Sequence, residues 1–162
     1  MPRLESKNKR PITTPDPNYR KKLEDSFSVQ GFMNAHSGKL VAIEPGFVEI
    51  HLPFSEALGQ QHGFFHGGIV ATIADSASGF ATYTVLEPEE ECLSAEFKIN
   101  FLSPARGEKM IARGNVIKAG RTLVIAEATV SVVRDGEEKD CAIMMHTLAR
   151  VKHVKSLPRK TD

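Results

Sequence analysis

The sequence has no tryptophan, two tyrosines and two cysteines in 162 residues. Cys92 and Cys141 are too few and too far apart for a disulfide framework or for the paired-thiolate spacing of a zinc site, so reduced thiols in a cytosol-like compartment are expected. Charge of one sign is also missing: 21 Lys and Arg stand against 20 Asp and Glu, a formal net charge of +1. That balance offers no global basis for nucleic-acid binding or for electrostatic attachment to a membrane. No apolar run approaches the roughly 20 residues of a membrane span, and the charged N-terminus has no apolar stretch of a signal peptide. A soluble cytoplasmic protein with no membrane or nucleic-acid partner is expected. Only 12 Gly and 9 Pro exclude a collagenous or low-complexity chain. What remains is 41% hydrophobic and 25% charged residues, the composition and length of one globular domain.

The charge is unevenly spread. Residues 1–22 and 150–162 are rich in Lys and Arg and poor in acids, which leaves an acidic body between two basic ends. Residues 1–16 hold Pro2, Pro11 and Pro15 among polar residues with no apolar period, and read as a disordered basic tail. Residues 152–162 read as a second basic tail, and 17–151 as the folded domain. Such ends aid solubility or bind an anionic ligand.

Within the domain, Tyr19, Leu23 and Phe27 recur every four residues as on a short amphipathic helix after the capping candidate Asp16, with Gly31 expected to break it. Lys39–Ile43 and Phe47–Leu52 are β-rich runs joined by Glu44-Pro45-Gly46, the chemistry of a hairpin turn. From Ile69 to Leu86 no proline intervenes, and Ile69, Val70, Ile73, Ala74, Ala77, Phe80 and Ala81 fall at spacings of three and four, which predicts a buried helix. Its other positions are small (Ala71, Ser76, Ser78, Gly79), as expected of a helix approached closely on several sides. Pro88 and Glu89–Glu91 are expected to form an exposed turn. Four β-rich runs follow: Leu93–Leu102, Lys109–Lys118, Thr122–Arg134 and Lys139–Val151. Short turns between them predict an antiparallel meander, with a bulge near Ala126 where the alternation slips. The fold class is α+β: a curved antiparallel sheet wrapped around one long central helix.

The richest stretch for chemistry is His62-Gly63-Phe64-Phe65-His66-Gly67-Gly68, which opens the long helix. A glycine pair there leaves N–H groups unpaired at the positive end of the helix dipole, where they can hold an anion or an oxyanion. Asp75 lies two turns further along the same apolar helix, where a carboxylate costs desolvation unless something uses it or it looks out to solvent. His62 and His66 have a metal-like spacing, but the glycines make the segment a loop and no further ligand is apparent, so no metal and no cofactor are expected. His51, His146 and His153 read as isolated histidines. Cys141 reads as a small core residue.

Gly63-Phe64-Phe65-His66-Gly67-Gly68, Ala74-Asp75, and Phe97-Lys98-Ile99-Asn100-Phe101-Leu102-Ser103-Pro104-Ala105 with Gly107 resemble the hot-dog-fold acyl-CoA thioesterases of the phenylacetic-acid-degradation type, over about residues 38–151. The resemblance implies homodimers, often paired into tetramers, with active sites between protomers and acyl-CoA as substrate. Matched by position, Gly67 N–H would be the oxyanion donor, with His66 before it and Gly68 supporting the turn. Asp75 would act from the partner protomer, as general base on water or as nucleophile. Ser94 would help place the water. Where relatives often carry Asn six residues before the histidine, this chain has Gln60, followed by Gln61; either amide is a candidate to orient substrate.

A thioester suits these parts. Its thiolate leaves with little need of protonation, so a base and an oxyanion site suffice without a Ser-His-Asp triad. Phe64, Phe65 and Phe80 are candidates for the acyl pocket, and Arg106, Arg121 and Lys98 for the phosphates of coenzyme A. Two further readings share the pattern: a non-catalytic acyl-CoA-binding or regulatory module, and a hot-dog enoyl-CoA hydratase or dehydratase. The acyl group, and CoA as against a carrier protein, are not legible in the sequence.

Overall fold

A computed structural model describes residues 12–152. Helices α1 (Tyr19–Ser28) and α2 (Gly31–Ala35) precede strands β1 (Lys39–Glu44) and β2 (Phe47–Pro53). The long helix α3 (Gly67–Tyr83) follows, and then β3 (Glu90–Phe101), β4 (Lys109–Ala119), β5 (Leu123–Arg134) and β6 (Glu137–Lys152). The strands form a single antiparallel sheet in the order β1-β2-β4-β5-β6-β3, curved around α3. This is the α+β arrangement expected, with one change of topology. Only β4, β5 and β6 form a meander; β3 crosses over to pair with β6 and becomes an edge.

Small residues explain how a helix fits inside the sheet. The inner face carries Ala112, Ala126, Ala128 and Ala142, all buried, opposite Ala74, Ala77 and Ala81 of α3. At the closest approach, a Cβ added to Gly114 of β4 would lie 2.2 Å from the Ala77 carbonyl oxygen. A larger residue there would push strand and helix apart. Larger apolar groups, Val70 and Ile73 of α3 with Ile50, Leu52 and Met110 of the sheet, fill the remaining volume and are essentially inaccessible. Each contributes roughly 1.5–3 kcal/mol by burial. The β1–β2 hairpin turns at Pro45-Gly46, with Gly46 at φ +74°. The Gly46 N–H donates to Thr84 Oγ1 at 2.7 Å, which fastens the turn to the end of α3.

Several local expectations need correction. Gly31 does not simply end α1 but begins α2, whose Met33 is buried. The slip expected near Ala126 is a bulge in the neighbouring strand: Val116 pairs with Ala126 and Lys118 with Ile125, so Ile117 is the extra residue. Asp16 is buried and its Oδ1 accepts from the Asn18 N–H at 2.7 Å, while Ile12 packs against the core and Gly46. Ordered packing therefore begins before residue 17. The rest of the two expected tails, residues 1–11 and 153–162 with His153, lies outside the described residues.

Pro88 and Glu89 form the exposed turn expected, but Glu90 and Glu91 do not belong to it: β3 begins at Glu90, which is buried. Arg150 of β6 donates to Glu90 Oε2 from Nη2 at 2.6 Å and from Nε at 3.0 Å, and its Nη2 also reaches the Val85 carbonyl at 3.2 Å. Burial pushes the Glu90 carboxyl up, but hydrogen bonds from Arg150 and the Glu87 backbone N–H outweigh it and hold it below its ordinary value of 4.5. A carboxylate depressed in this way stabilises the fold fully above its unfolded pKa and loses that contribution as pH falls through the folded value. Arg150→Met leaves the buried charge unpaired and should cost about 3–5 kcal/mol at neutral pH. In denaturant titrations the difference between variant and parent should shrink as pH falls below about 4.5.

Candidate active site

The segment before α3 is pinned on both sides. Phe65 N–H donates to the Ala105 carbonyl at 2.8 Å and His66 N–H to the Leu58 carbonyl at 2.9 Å. His66 is the N-cap, with φ −63° and ψ 138°, and its Nδ1 accepts from the Gly68 N–H at 2.9 Å. The His66 carbonyl accepts from the Ile69 and Val70 N–H groups at 2.9 and 3.1 Å. Gly67 N–H alone in this first turn has no partner among the described residues. It opens onto a cleft of about 540 Å³ lined by Gln60, Phe64, Phe65, Phe101 and Pro104. Gly67 is the residue for which the sequence suggested an oxyanion donor.

Of the two glutamines, Gln60 lines this cleft and Gln61 is exposed and lines none of the clefts described. Gln60 Oε1 is taken by the His62 N–H at 2.6 Å, which leaves its amide nitrogen as the group to offer a ligand. Phe65 is buried edge-on to Phe54, with centroids 5.0 Å apart, and so serves the core as well as the cleft. Arg106 lies over the Phe64 ring, 5.9 Å from its centroid, beside the cleft. Arg121 occupies the β4–β5 turn, a full length of β4 away from the β3–β4 loop that holds Arg106, about 35 Å. Within one protomer the two stand at opposite ends of β4. Lys98 donates to Asn100 Oδ1 at 2.8 Å and lies with Glu127 and Met145 on the outer face of the sheet, away from both glycine and aspartate.

Asp75 lies eight residues beyond Gly67 on α3, about 12 Å along the axis, and opens onto a second cleft of about 330 Å³. Its side chain is 37% exposed, so it is neither a solvated surface acid nor a buried one. Ser94 Oγ donates to Asp75 Oδ1 at 2.7 Å, which unites the serine and the aspartate the sequence had singled out. A bulge makes this possible: Ser94 pairs with Leu148 and Glu96 with Thr147, leaving Ala95 extra. The extra residue keeps Cys92 and Ser94 on the same face as Phe97, Ile99 and Phe101, all turned toward α3. Further along α3 the cleft runs past Gly79 and Phe80, with Leu148 and Cys92 from the sheet, to Ser26, Gln30 and Tyr83. Phe80 is almost wholly buried, stacked near Phe27 and Tyr83, and forms the floor of this cleft. Tyr83 donates its hydroxyl to Glu91 Oε2 at 2.5 Å.

His146, read as an isolated histidine, is the functional neighbour that sequence reasoning missed. It is fully buried on β6, with Nδ1 2.8 Å from Ser78 Oγ and Nε2 3.4 Å from Asp75 Oδ1. The signal was present: Ala142, Met144, His146 and Leu148 alternate onto the inner face, and a histidine in that series must find partners. His51 is not isolated either. It meets Glu49 at 2.7 Å, in a network with Arg113 and Glu138 away from both clefts. Burial pushes the Cys92 thiol up to about 12 and the Cys141 thiol up to about 11, so neither offers a thiolate nucleophile at neutral pH. No cluster of metal-ligating side chains occurs among the described residues, and none of their helices is long and apolar enough to cross a membrane.

The family model described as the thioesterase superfamily matches residues 62–139, the span from His62 through both the glycine pair and Asp75. A solved thioesterase family protein from Silicibacter pomeroyi is 45% identical, with a TM-score of 0.82 over 83% of this chain and 99% of that one. The chain belongs to the thioesterase superfamily. The fold described above is therefore the hot-dog fold of that superfamily. Among curated relatives, acyl-coenzyme A thioesterase 13 of Mus musculus is 28% identical over 70% of this chain and 82% of its own. A relative from Saccharolobus solfataricus, carrying an esterase name, is 30% identical over 89 residues. The match spans 63% of that relative's length, less than two thirds.

Proposed function

We propose that this thioesterase-superfamily protein hydrolyses acyl-CoA thioesters at sites assembled between two protomers. The observation that carries the reading is the separation of its parts. In one protomer the free Gly67 N–H and the Asp75 carboxylate open onto different clefts, too far apart to act on one carbonyl. Strand β3 supplies the means of joining them. It is a 12-residue edge whose Leu93, Phe97 and Phe101 are about half exposed, a poor thing to leave unpaired in water. Ser94, bonded to Asp75, sits toward one end of β3, and Phe101, 3.3 Å from a Cβ position on Gly67, at the other. Antiparallel pairing of two such edges about Phe97 would bring Asp75 of one protomer to the partner's Gly67, and the reverse, by symmetry.

In such a site the Gly67 N–H, at the positive end of α3, donates to the thioester oxygen as it gains negative charge. Asp75 takes a proton from water as the water oxygen bonds to the carbonyl carbon. The carbon–sulfur bond then breaks and the thiolate of coenzyme A leaves. Ser94 holds Oδ1 of the carboxylate and leaves Oδ2 to the water. Arg106, exposed beside the Gly67 cleft, is placed to meet a CoA phosphate; Arg121 can do so only from another protomer. The acyl group would lie in the cleft along α3, whose modest volume and polar end at Ser26, Gln30 and Tyr83 favour compact acyl groups over long chains.

The test is release of free thiol from a panel of aryl-, short-chain and long-chain acyl-CoAs. Hydrolysis of the compact members is expected; binding without thiol release would favour the non-catalytic module, and a change in enoyl-CoA absorbance without thiol release the hydratase.

A further inference from the structure

We infer that His146 is a positioning residue for Asp75: a neutral imidazole that donates its Nε2–H to Asp75 Oδ1, with Ser78 setting the tautomer. The inference rests on the proposed role of Asp75 and extends it to a residue that touches no substrate. His146 is wholly enclosed, its ring edge-on to Phe97 with centroids 5.8 Å apart. Nε2 has no hydrogen-bond partner, and a carboxylate oxygen of Asp75 lies 3.4 Å away. An orphaned polar atom in so dry a place is costly, and one proton decides whether the cost is incurred.

The proton is assigned by counting donors. Ser78 Oγ has a single hydrogen and lies 2.8 Å from His146 Nδ1 and 2.8 Å from the Ala74 carbonyl. If the hydroxyl donates to Ala74, then Nδ1 must carry the imidazole proton, and the bare Nε2 lone pair faces the Asp75 carboxylate, acceptor against acceptor. If it donates to Nδ1 instead, the proton sits on Nε2 and points at Oδ1. Ala74 loses little by this, because its carbonyl keeps the helical N–H of Ser78. The second arrangement sets no acceptor against another, and closing the 3.4 Å gap to Oδ1 by a few tenths of an ångström would complete the Nε2–H bond. Burial disfavours the imidazolium and pushes the His146 pKa down, more than the Asp75 charge raises it, so the ring has one proton to give. Of the other titratable groups, Cys92 on β3 is also close enough to feel the Asp75 charge, and its thiol remains protonated.

The consequence is orientation. Ser94 and His146 approach the same oxygen from β3 and β6, which restrains the carboxylate and leaves Oδ2 free of both. Loss of one donor lets the carboxylate turn, which should slow the chemical step and leave binding alone. Outer partners of metal-ligating side chains contribute about 10- to 100-fold to activity, and a loss on that scale is expected here.

Three variants and one spectrum test this. His146→Leu fills the space without a donor and should lower kcat about 10- to 100-fold with KM for acyl-CoA nearly unchanged. His146→Gln keeps an N–H near the Nε2 position and should recover most of the loss, although it suits an apolar core less well. A packing role predicts the opposite order, so a Leu variant more active than the Gln variant overturns the inference. Imidazole ¹⁵N shifts of the wild-type protein at neutral pH should show the Nε2–H tautomer at His146, and Ser78→Ala should weaken that preference. An Nδ1–H tautomer or an imidazolium overturns it. The spectrum needs no turnover, so a protein that shows Nε2–H but hydrolyses no acyl-CoA would count against the proposed function and not against the geometry.

Discussion

Asp75→Asn is expected to lower kcat for acyl-CoA hydrolysis by about 10²- to 10⁴-fold, the range a general base contributes. Asn preserves the shape of the side chain and an oxygen for Ser94 to reach, so the fold should be undisturbed and KM should change little. The loss falls on kcat because the proton is taken only as water attacks. Asp75 has half-exposed surroundings and no cation partner among the described residues, which leaves its free oxygen no competing use. A variant with unchanged melting temperature and wild-type kcat would remove Asp75 from the mechanism. Single turnover in ¹⁸O-labelled water separates base from nucleophile, since label enters the aspartate only if its oxygen attacks the carbonyl.

The second large effect concerns a single backbone hydrogen. Gly67 is the first helical residue, where proline is well tolerated, and His66 before it already has the extended ψ of 138° that a following proline demands. Gly67→Pro should therefore fold while deleting the N–H, and kcat should fall about 10²- to 10³-fold, the cost of one oxyanion donor. Gly67→Ala keeps the N–H, and its Cβ meets only the end of the Phe101 ring at 3.3 Å, a contact relieved by a shift of a few tenths of an ångström. Its activity should stay within a few-fold of wild type. Equal losses in the two variants would point to crowding by Phe101 and away from a donated hydrogen bond.

Much of this was readable before any coordinates, for reasons particular to each element. The hairpin at Pro45-Gly46 and the small-residue helix are local patterns, and local patterns dictate local structure. The pair Gly67 and Asp75 lies on one helix, so its spacing along the axis follows from the sequence alone. Long-range pairing is different. That β3 leaves the meander to lie beside β6, and that a bulge at Ala95 turns Ser94 toward Asp75, depend on contacts between residues some 50 positions apart that no local period encodes. Glu90 looked solvent-exposed because its partner, Arg150, is 60 residues away. His146 was legible as a strand residue and illegible as a neighbour of Asp75, since only the wrapped sheet brings β6 against that turn of α3. Arg121 shows the same limit: its place in a turn was legible, but not that the β4–β5 turn stands at the opposite end of β4 from Arg106, so that a phosphate contact from it calls for a second protomer.

The central claim is that each site takes Gly67 from one protomer and Asp75 from the other. Subunit complementation tests it most directly. Gly67→Pro and Asp75→Asn protomers, each nearly inactive alone, are mixed, unfolded together and refolded. In a heterodimer one site combines the intact Gly67 of the Asn variant with the intact Asp75 of the Pro variant, and the other site carries both lesions. Random reassortment should then restore about a quarter of wild-type thiol release, from half the dimers with one good site each. A refolded mixture no more active than its two parents would contradict the shared site and place both groups within a single protomer.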